Sequence, residues 1–266
     1  MGIAQMILYG WLGMALMMAI LYGIATVKRN AGLVDVGWAT GLAILAVFYA
    51  TVADGLASRR LLLAALAGFW GLRLGSYLLF NRFVGKTEES RYKALRKGWG
   101  DRAERNFFLF FQFQASWDIL FSLPFLAVAL NATPSLGVWD LIGAGIWTLA
   151  VLGETIADRQ LARFRANPEN RGKTCNQGLW RYSRHPNYFF EWTHWFAYIF
   201  LAVGSPCWWL TLLGPVLMGV FLLKITGIPY TEEQSLKSKG ESYREYQRTT
   251  SAFIPWFPKK PRQPEP

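Results

Sequence analysis

Several stretches of roughly 18 to 24 residues carry one charge or none, close to the ~20 apolar residues an α-helix needs to cross the hydrocarbon core. They constrain the fold of this 266-residue chain more than any other feature. Around them seven spans are read near residues 6–27, 33–53, 61–80, 107–130, 136–157, 188–204 and 206–227. Backbone groups in lipid must be hydrogen-bonded internally, so each run predicts a helix. The expected fold is an all-α integral membrane protein with seven transmembrane helices. Charged residues make up 17 % of the chain, below the ~25 % of soluble domains. A soluble enzyme, a secreted disulfide scaffold and a disordered chain are excluded.

The 28 Lys and Arg against 17 Asp and Glu leave a formal net charge of +11, and its placement is uneven. The 28–32 link carries Lys28 and Arg29, the 81–106 loop eight basic residues, the 158–187 loop seven, and the stretch from Lys224 onward eight. The opposite connections carry only Arg59 and Arg60, and Arg73 lies inside a span. Basic residues accumulate on the cytosolic side, which predicts an N-terminus outside and a C-terminus in the cytosol. The basic charge is thus topological and implies no nucleic-acid partner. The first span lacks a preceding basic region and is expected to be a retained helix and not a signal peptide.

Cys175 and Cys207 define neither a disulfide framework nor a metal site, and two histidines, His185 and His194, form no metal centre. Residues 1–257 are expected to form one transmembrane domain, with 107–257 as its C-terminal half and 258–266 as a disordered tail.

Ionisable side chains inside spans are costly and mark functional positions by default. Five stand out: Asp35, Arg73, Asp118, Glu154 and Glu191. Four lie near the cytosolic surface, as expected of a polar cavity opening inward; Asp118 is mid-span and reads as a structural partner to a neighbouring helix. Arg73 reads equally well as a residue reaching the headgroups, and Asp35 as an interfacial partner of Lys28 and Arg29.

Three further patterns carry chemistry. Glu154, Asp158 and Arg165, at i, i+4 and i+11, share roughly one helical face, an acid line ending in a cation. Residues 176–192 place Arg181, Arg184 and His185 ahead of Pro186, with Asn187 and Glu191 one turn apart just inside a helix N-terminus. That set offers cations for phosphate, and a carboxylate and an amide for sugar hydroxyls or a carboxamide. Asn81, Arg82, Lys86, Glu88, Glu89, Arg91 and Tyr92 form a third set around a Gly85 turn. Lys224, Tyr230, Glu232, Tyr243 and Tyr246 follow the last span. Residues 230–257 read as an amphipathic segment returning to the membrane and ending in Phe253-Ile254-Pro255-Trp256-Phe257.

At Arg184-His185-Pro186-Asn187-Tyr188, followed by Glu191, the chain resembles the steroid 5-alpha-reductase family, as a bacterial membrane homologue. Further blocks are residues 29–38 (Arg-Asn-Ala-Gly-Leu-Val-Asp-Val-Gly-Trp), Trp70-Gly71-Leu72-Arg73, and Gly85 to Tyr92. The resemblance implies seven spans and a site open to the cytosol. It implies NADPH as cofactor, and reduction of the 4,5 double bond of a 3-oxo-4-ene steroid or a similar lipid enone. Asn187 and Glu191 match residues the family uses on the cofactor, and Asp158 and Arg165 match an acid and an arginine at the same spacing. Asn81-Arg82, after Arg73 and Tyr77, resembles another cofactor-contacting stretch. With Lys86, Arg91, Tyr92, Glu154, Arg184, His185, Tyr188, Lys224 and Tyr230 these make up the implied cofactor site. Asp35 stands where the family has the carboxylate facing the substrate carbonyl, beside Trp38.

The chain departs from the family at Trp70, which replaces a catalytic tyrosine; the hydroxyl then comes from Tyr77 or Tyr22, or the indole donates instead. Glu154 replaces an amide and Lys224 an arginine. A monomer in a bacterial inner membrane or the endoplasmic reticulum, contacting membrane lipid and a lipid enone, is the implied setting. Two alternatives compete. An isoprenylcysteine carboxyl methyltransferase using S-adenosylmethionine shares the Arg-His-Pro-x-Tyr block. A non-enzymatic lipid transporter or lipid-binding protein is disfavoured by polar residues confined to one depth and by the absence of an internal repeat.

Overall fold

A computed structural model describes residues 1–259. It is helical throughout: α1 (Ile3–Lys28), α2 (Leu33–Val52), α3 (Ala57–Leu78), α4 (Ser90–Trp99), α5 (Ala103–Ala129), α6 (Val138–Ala166), α7 (Pro186–Leu201), α8 (Leu213–Val220), α9 (Ile228–Lys239) and α10 (Glu241–Thr249). The described residues contain no β-strand, only an isolated bridge between Ser183 and Ser251. Two compact units are distinguishable: Met1–Asp140 with Tyr198–Gly214, and Leu141–Ala197 with the chain from Pro215 onward.

Five helical runs are long and apolar enough to cross a membrane: Ile3–Lys28, Leu33–Val52, Ala57–Phe83, Val138–Ala166 and Trp208–Lys239. The chain is therefore a multi-pass, all-α membrane protein. Two expected spans do form helices but fall outside that set. In α5, Gln112, Gln114 and Asp118 dilute the apolar run; α7 has 16 residues, fewer than the ~20 that span the core.

In the first unit α2 is the central helix. Its apolar window is 67 % buried, against 17 % for α1, so α2 is core and α1 turns most of its surface outward. Lipid gives apolar helices no hydrophobic reason to associate, so close packing of small residues must hold them. Gly71 and Gly75 of α3 meet that need: a Cβ at Gly71 would lie 2.6 Å from the Ala39 carbonyl oxygen, and one at Gly75 2.6 Å from Thr40 Cγ2. On α2, Gly37 and Gly41 make the same accommodation for Met14, Met18 and Leu21 of α1.

Arg59 and Arg60, predicted as loop charges, instead serve as internal caps. The Arg59 guanidinium is buried and uses all five N–H groups: Nε and Nη2 donate to both carboxylate oxygens of Asp140 (2.6 and 2.8 Å), and the rest to the carbonyls of Asn131, Thr133 and Ser135. Arg60 donates to the carbonyls of Gly55 and Ala50.

In the second unit Gly153 of α6 faces the Phe190 ring of α7, where a Cβ would come within 2.5 Å. Trp192 of α7 donates from Nε1 to the Pro215 carbonyl (2.9 Å). After α8 the helix relaxes into a π turn at Phe221–Ile225 carrying Lys224.

Candidate functional site

The predicted residues form two polar clusters, one in each unit. In the first unit the turn after α1 is docked on the segment after α3. Arg29 closes α1 in the left-handed region (φ 49°). Asn30 then donates to the carbonyls of Arg82 and Lys86 (3.4 and 3.3 Å) and accepts from the Gly32 amide (3.0 Å). The Glu88 carboxylate, buried, accepts the Ala31 amide (2.9 Å) and the Arg96 guanidinium (3.0 Å). Two sequence blocks more than 50 residues apart are thereby held in register. Asn81 and Arg82 ride on a π turn (Leu79–Phe83) that prolongs α3, a distortion that recurs at functional sites.

This docking assembles a closed ring of alternating charge. Asp35 accepts from Arg91 and from Arg82 (3.3 Å), and both arginines reach Glu89, each Nε lying 3.1 Å from a carboxylate oxygen. The Tyr92 hydroxyl donates to the other Asp35 oxygen (2.9 Å), and the Arg91 guanidinium lies 4.5 Å over the Tyr92 ring. Burial pushes the Tyr92 phenol well above its ordinary pKa, and the Asp35 charge adds to the rise. Burial opposes the Arg91 charge, but Asp35, Tyr92 and Glu89 outweigh it and raise its pKa. Asp35 thus pairs with Arg82, Arg91 and Tyr92, where the sequence offered Lys28 and Arg29. Both its oxygens are engaged by these three donors.

Trp70 is fully buried and meets Trp38 edge-on (6.2 Å), and Trp38 meets Phe121 the same way (5.7 Å), an aromatic wall behind Asp35 on α2. Tyr77 is exposed and Asn81 donates to its carbonyl (2.8 Å). Arg73 is half-buried and Lys86 exposed.

In the second unit the loop 176–182 folds back on the end of α6. Gly178 (φ 57°) lies so close to Gln160 that a Cβ would come within 2.5 Å of its amide; Gln160 accepts the Leu179 amide (2.9 Å), and Trp180 donates to the Ala157 carbonyl (2.9 Å). This places Asn187, on the first turn of α7, where its amide donates to Asp158 of α6 (3.1 Å). Glu191, one turn on, is buried, as is Glu154, one turn before Asp158. Three carboxylates and an amide are contributed by two helices; Arg165 and Lys224 are exposed.

Arg184 and His185 have other employment. Arg184 donates from Nε to Glu232 of α9 (2.6 Å) and from Nη1 to the carbonyls of Gln247 and Thr250 (3.1 and 2.6 Å). His185 Nε2 lies 3.3 Å from the same Glu232 oxygen, its ring stacks on Tyr188 (5.3 Å), and Tyr188 shares a hydrogen bond with Thr231 (3.2 Å). Burial holds the His185 imidazole below its ordinary pKa, with Glu232 acting against it. Asn30 and Arg96 are residues sequence reasoning left out of the site, and Glu232, singled out after the last span, was not matched to Arg184 and His185. Glu232 is 48 positions from Arg184, beyond any local periodicity.

The fold and these clusters define a helical membrane protein with polar groups gathered at helix ends. The chain matches, over residues 21–250, the model of a family described as a protein of unknown function, DUF1295, and belongs to that family. It is similar to an uncharacterized protein of Schizosaccharomyces pombe, 26 % identical over 89 % of this chain and 76 % of the relative. No solved structure matches it.

Proposed function

We propose that this protein is an NADPH-dependent reductase of the 4,5 double bond of 3-oxo-4-ene steroids or similar lipid enones. In this reading it has seven spans, with the N-terminus outside and the site open to the cytosol of a bacterial inner membrane or endoplasmic reticulum. The observation that carries it is the Asp158–Asn187 hydrogen bond beside buried Glu191 and Glu154. An amide and a carboxylate near the N-terminus of α7, together with carboxylates in the C-terminal half of α6, are groups that hold ribose hydroxyls and a carboxamide. The donor set fits the sugar and amide parts of a dinucleotide. Arg184, engaged by Glu232, is not a free phosphate ligand, and that part of the site falls to exposed Arg165 and Lys224.

When bound, the cofactor supplies a hydride; the protein contributes binding, orientation and electrostatics. Trp38 and Trp70 supply an apolar wall suited to a flat lipid. Asp35, carrying two guanidiniums and a phenol, orders Arg91 and Tyr92; to serve as the acid toward a substrate oxygen it must first leave these donors and take up a proton from water.

The test uses detergent-solubilised protein, NADPH, a panel of 4-ene-3-oxo steroids and mass spectrometry for a gain of two hydrogens. Glu191→Ala is expected to weaken NADPH binding about 10- to 150-fold, the equivalent of the ~1.5–3 kcal/mol that hydrogen bonds to charged groups contribute. Failure to detect saturable NADPH binding overturns the reading. Retention of S-adenosylmethionine with methyl transfer to an isoprenylcysteine replaces it with a methyltransferase.

A further inference from the structure

Within the second unit, the chain after α10 ends in side chains that are apolar, aromatic and uncovered. Ile254 is 59 % exposed, Trp256 69 % and Phe257 77 %. In a flexible tail such residues would collapse onto one another or on the protein. Here the backbone beneath them is pinned. Arg184 donates its amide to the Ser251 carbonyl (2.8 Å) and its guanidinium to those of Gln247 and Thr250. Ser183 Oγ donates to the Phe253 carbonyl (2.8 Å) and accepts the His185 amide (3.1 Å). Trp256 donates its amide to Tyr182 (2.9 Å), and the Tyr182 ring meets Phe257 edge-on (6.1 Å). Phe253 turns the other way, buried against Phe189 and Trp192 of α7. Tyr246 adds hydrogen bonds to the carbonyls of Trp180 and Ser183.

We propose that the Ser183-Arg184-His185 segment is a clamp that fixes Ile254–Phe257 as a rigid anchor in the headgroup zone of the bilayer. Three features name lipid as the occupant. The clamp grips the chain at the entry of apolar α7, the level at which a helix leaves water. The run from Trp208 to Lys239 is long and apolar enough to span, and Val216, Val220, Leu223 and Ile225, on the part of it that lies in this unit, are exposed, so the unit carries further uncovered apolar surface of the kind lipid covers. Tryptophan, with an apolar body and a polar N–H, is favoured at that boundary, and Lys259, two residues after Phe257, supplies a cation for anionic headgroups. The inference is independent of the proposed reductase activity.

The experiment places a spin label at Trp256→Cys or Phe257→Cys in the full-length chain with Cys175 and Cys207 replaced by serine, reconstituted into vesicles containing anionic lipid. Expected is an immobile label struck more often by oxygen than by a water-soluble nickel chelate, the reverse of a control label at Glu241→Cys on exposed α10. Adding Glu232→Gln, which removes the carboxylate holding Arg184, is expected to make the label at 257 mobile. Preferential collision with nickel overturns the lipid assignment. Spin–spin broadening that grows with protein density, without oxygen access, assigns the patch to a second copy of the chain and also overturns it. An unchanged line shape in Glu232→Gln overturns the clamp.

Discussion

Replacing Tyr92 by Phe removes one oxygen and tests whether the charge ring around Asp35 is a structural unit. The hydroxyl is buried and donates over 2.9 Å to an oxygen of Asp35. A hydrogen bond to a charged partner contributes ~1.5–3 kcal/mol, and its loss leaves the acceptor to be resolvated. The Asp35 side chain is 16 % exposed, so water replaces part of the lost bond, and a destabilisation of about 1–2 kcal/mol is expected. The measurement is the unfolding free energy of wild type, Tyr92→Phe, Asp35→Leu and the double variant in one detergent. The two groups touch, so the cycle should return a coupling of about 1 kcal/mol. Alkaline titration adds an independent arm. The folded phenol has a pKa well above the ~10 of a free one, so above that pH the unfolded chain releases a proton that the native state keeps. Wild-type stability should therefore fall as pH rises beyond about 10, and less steeply in Tyr92→Phe. A coupling under ~0.3 kcal/mol, or identical alkaline slopes, refutes the ring as a stabilising unit.

Other sites give equally definite expectations. Asp118 is fully buried and neither carboxylate oxygen has a hydrogen-bond partner, so Asp118→Leu, close in shape, should stabilise the protein by about 1–3 kcal/mol, read as a higher thermal midpoint. Arg59→Met strands the Asp140 carboxylate and three carbonyls and should cost about 3–5 kcal/mol; a neutral result would mean that water reaches the pair. His185 is held below its ordinary pKa, so the unfolded chain takes up a proton that the native state refuses as pH falls below about 6.5. Stability should drop in that window and His185→Gln should flatten the drop, measured by denaturation between pH 7 and 5.

The helices were legible because lipid enforces them: a long uncharged run leaves the backbone no other partner. Loop charges were not, because a cation's role depends on which carboxylate folding brings to it. Arg184 read as a phosphate ligand on the strength of its neighbours Arg181, His185 and Asn187, yet its partner Glu232 lies 48 residues on. Asp35 was read beside Lys28 and Arg29, but takes Arg82, Arg91 and Tyr92, 47 to 57 residues away. Asn187 with Asp158 was closer to the surface of the sequence. Each was placed on a helix by its own spacing, and only their meeting required the fold. The same logic redistributes the work among the basic residues. Arg82, Arg91, Arg96 and Arg184 are each matched by a carboxylate, so their charge is already compensated before any anion arrives. Under the proposed reading, a phosphate-bearing cofactor meets its attraction in Arg165 and Lys224, which are exposed. Neutralising these should weaken cofactor binding in a way that added salt mimics, whereas neutralising the matched arginines should unfold the loops they hold.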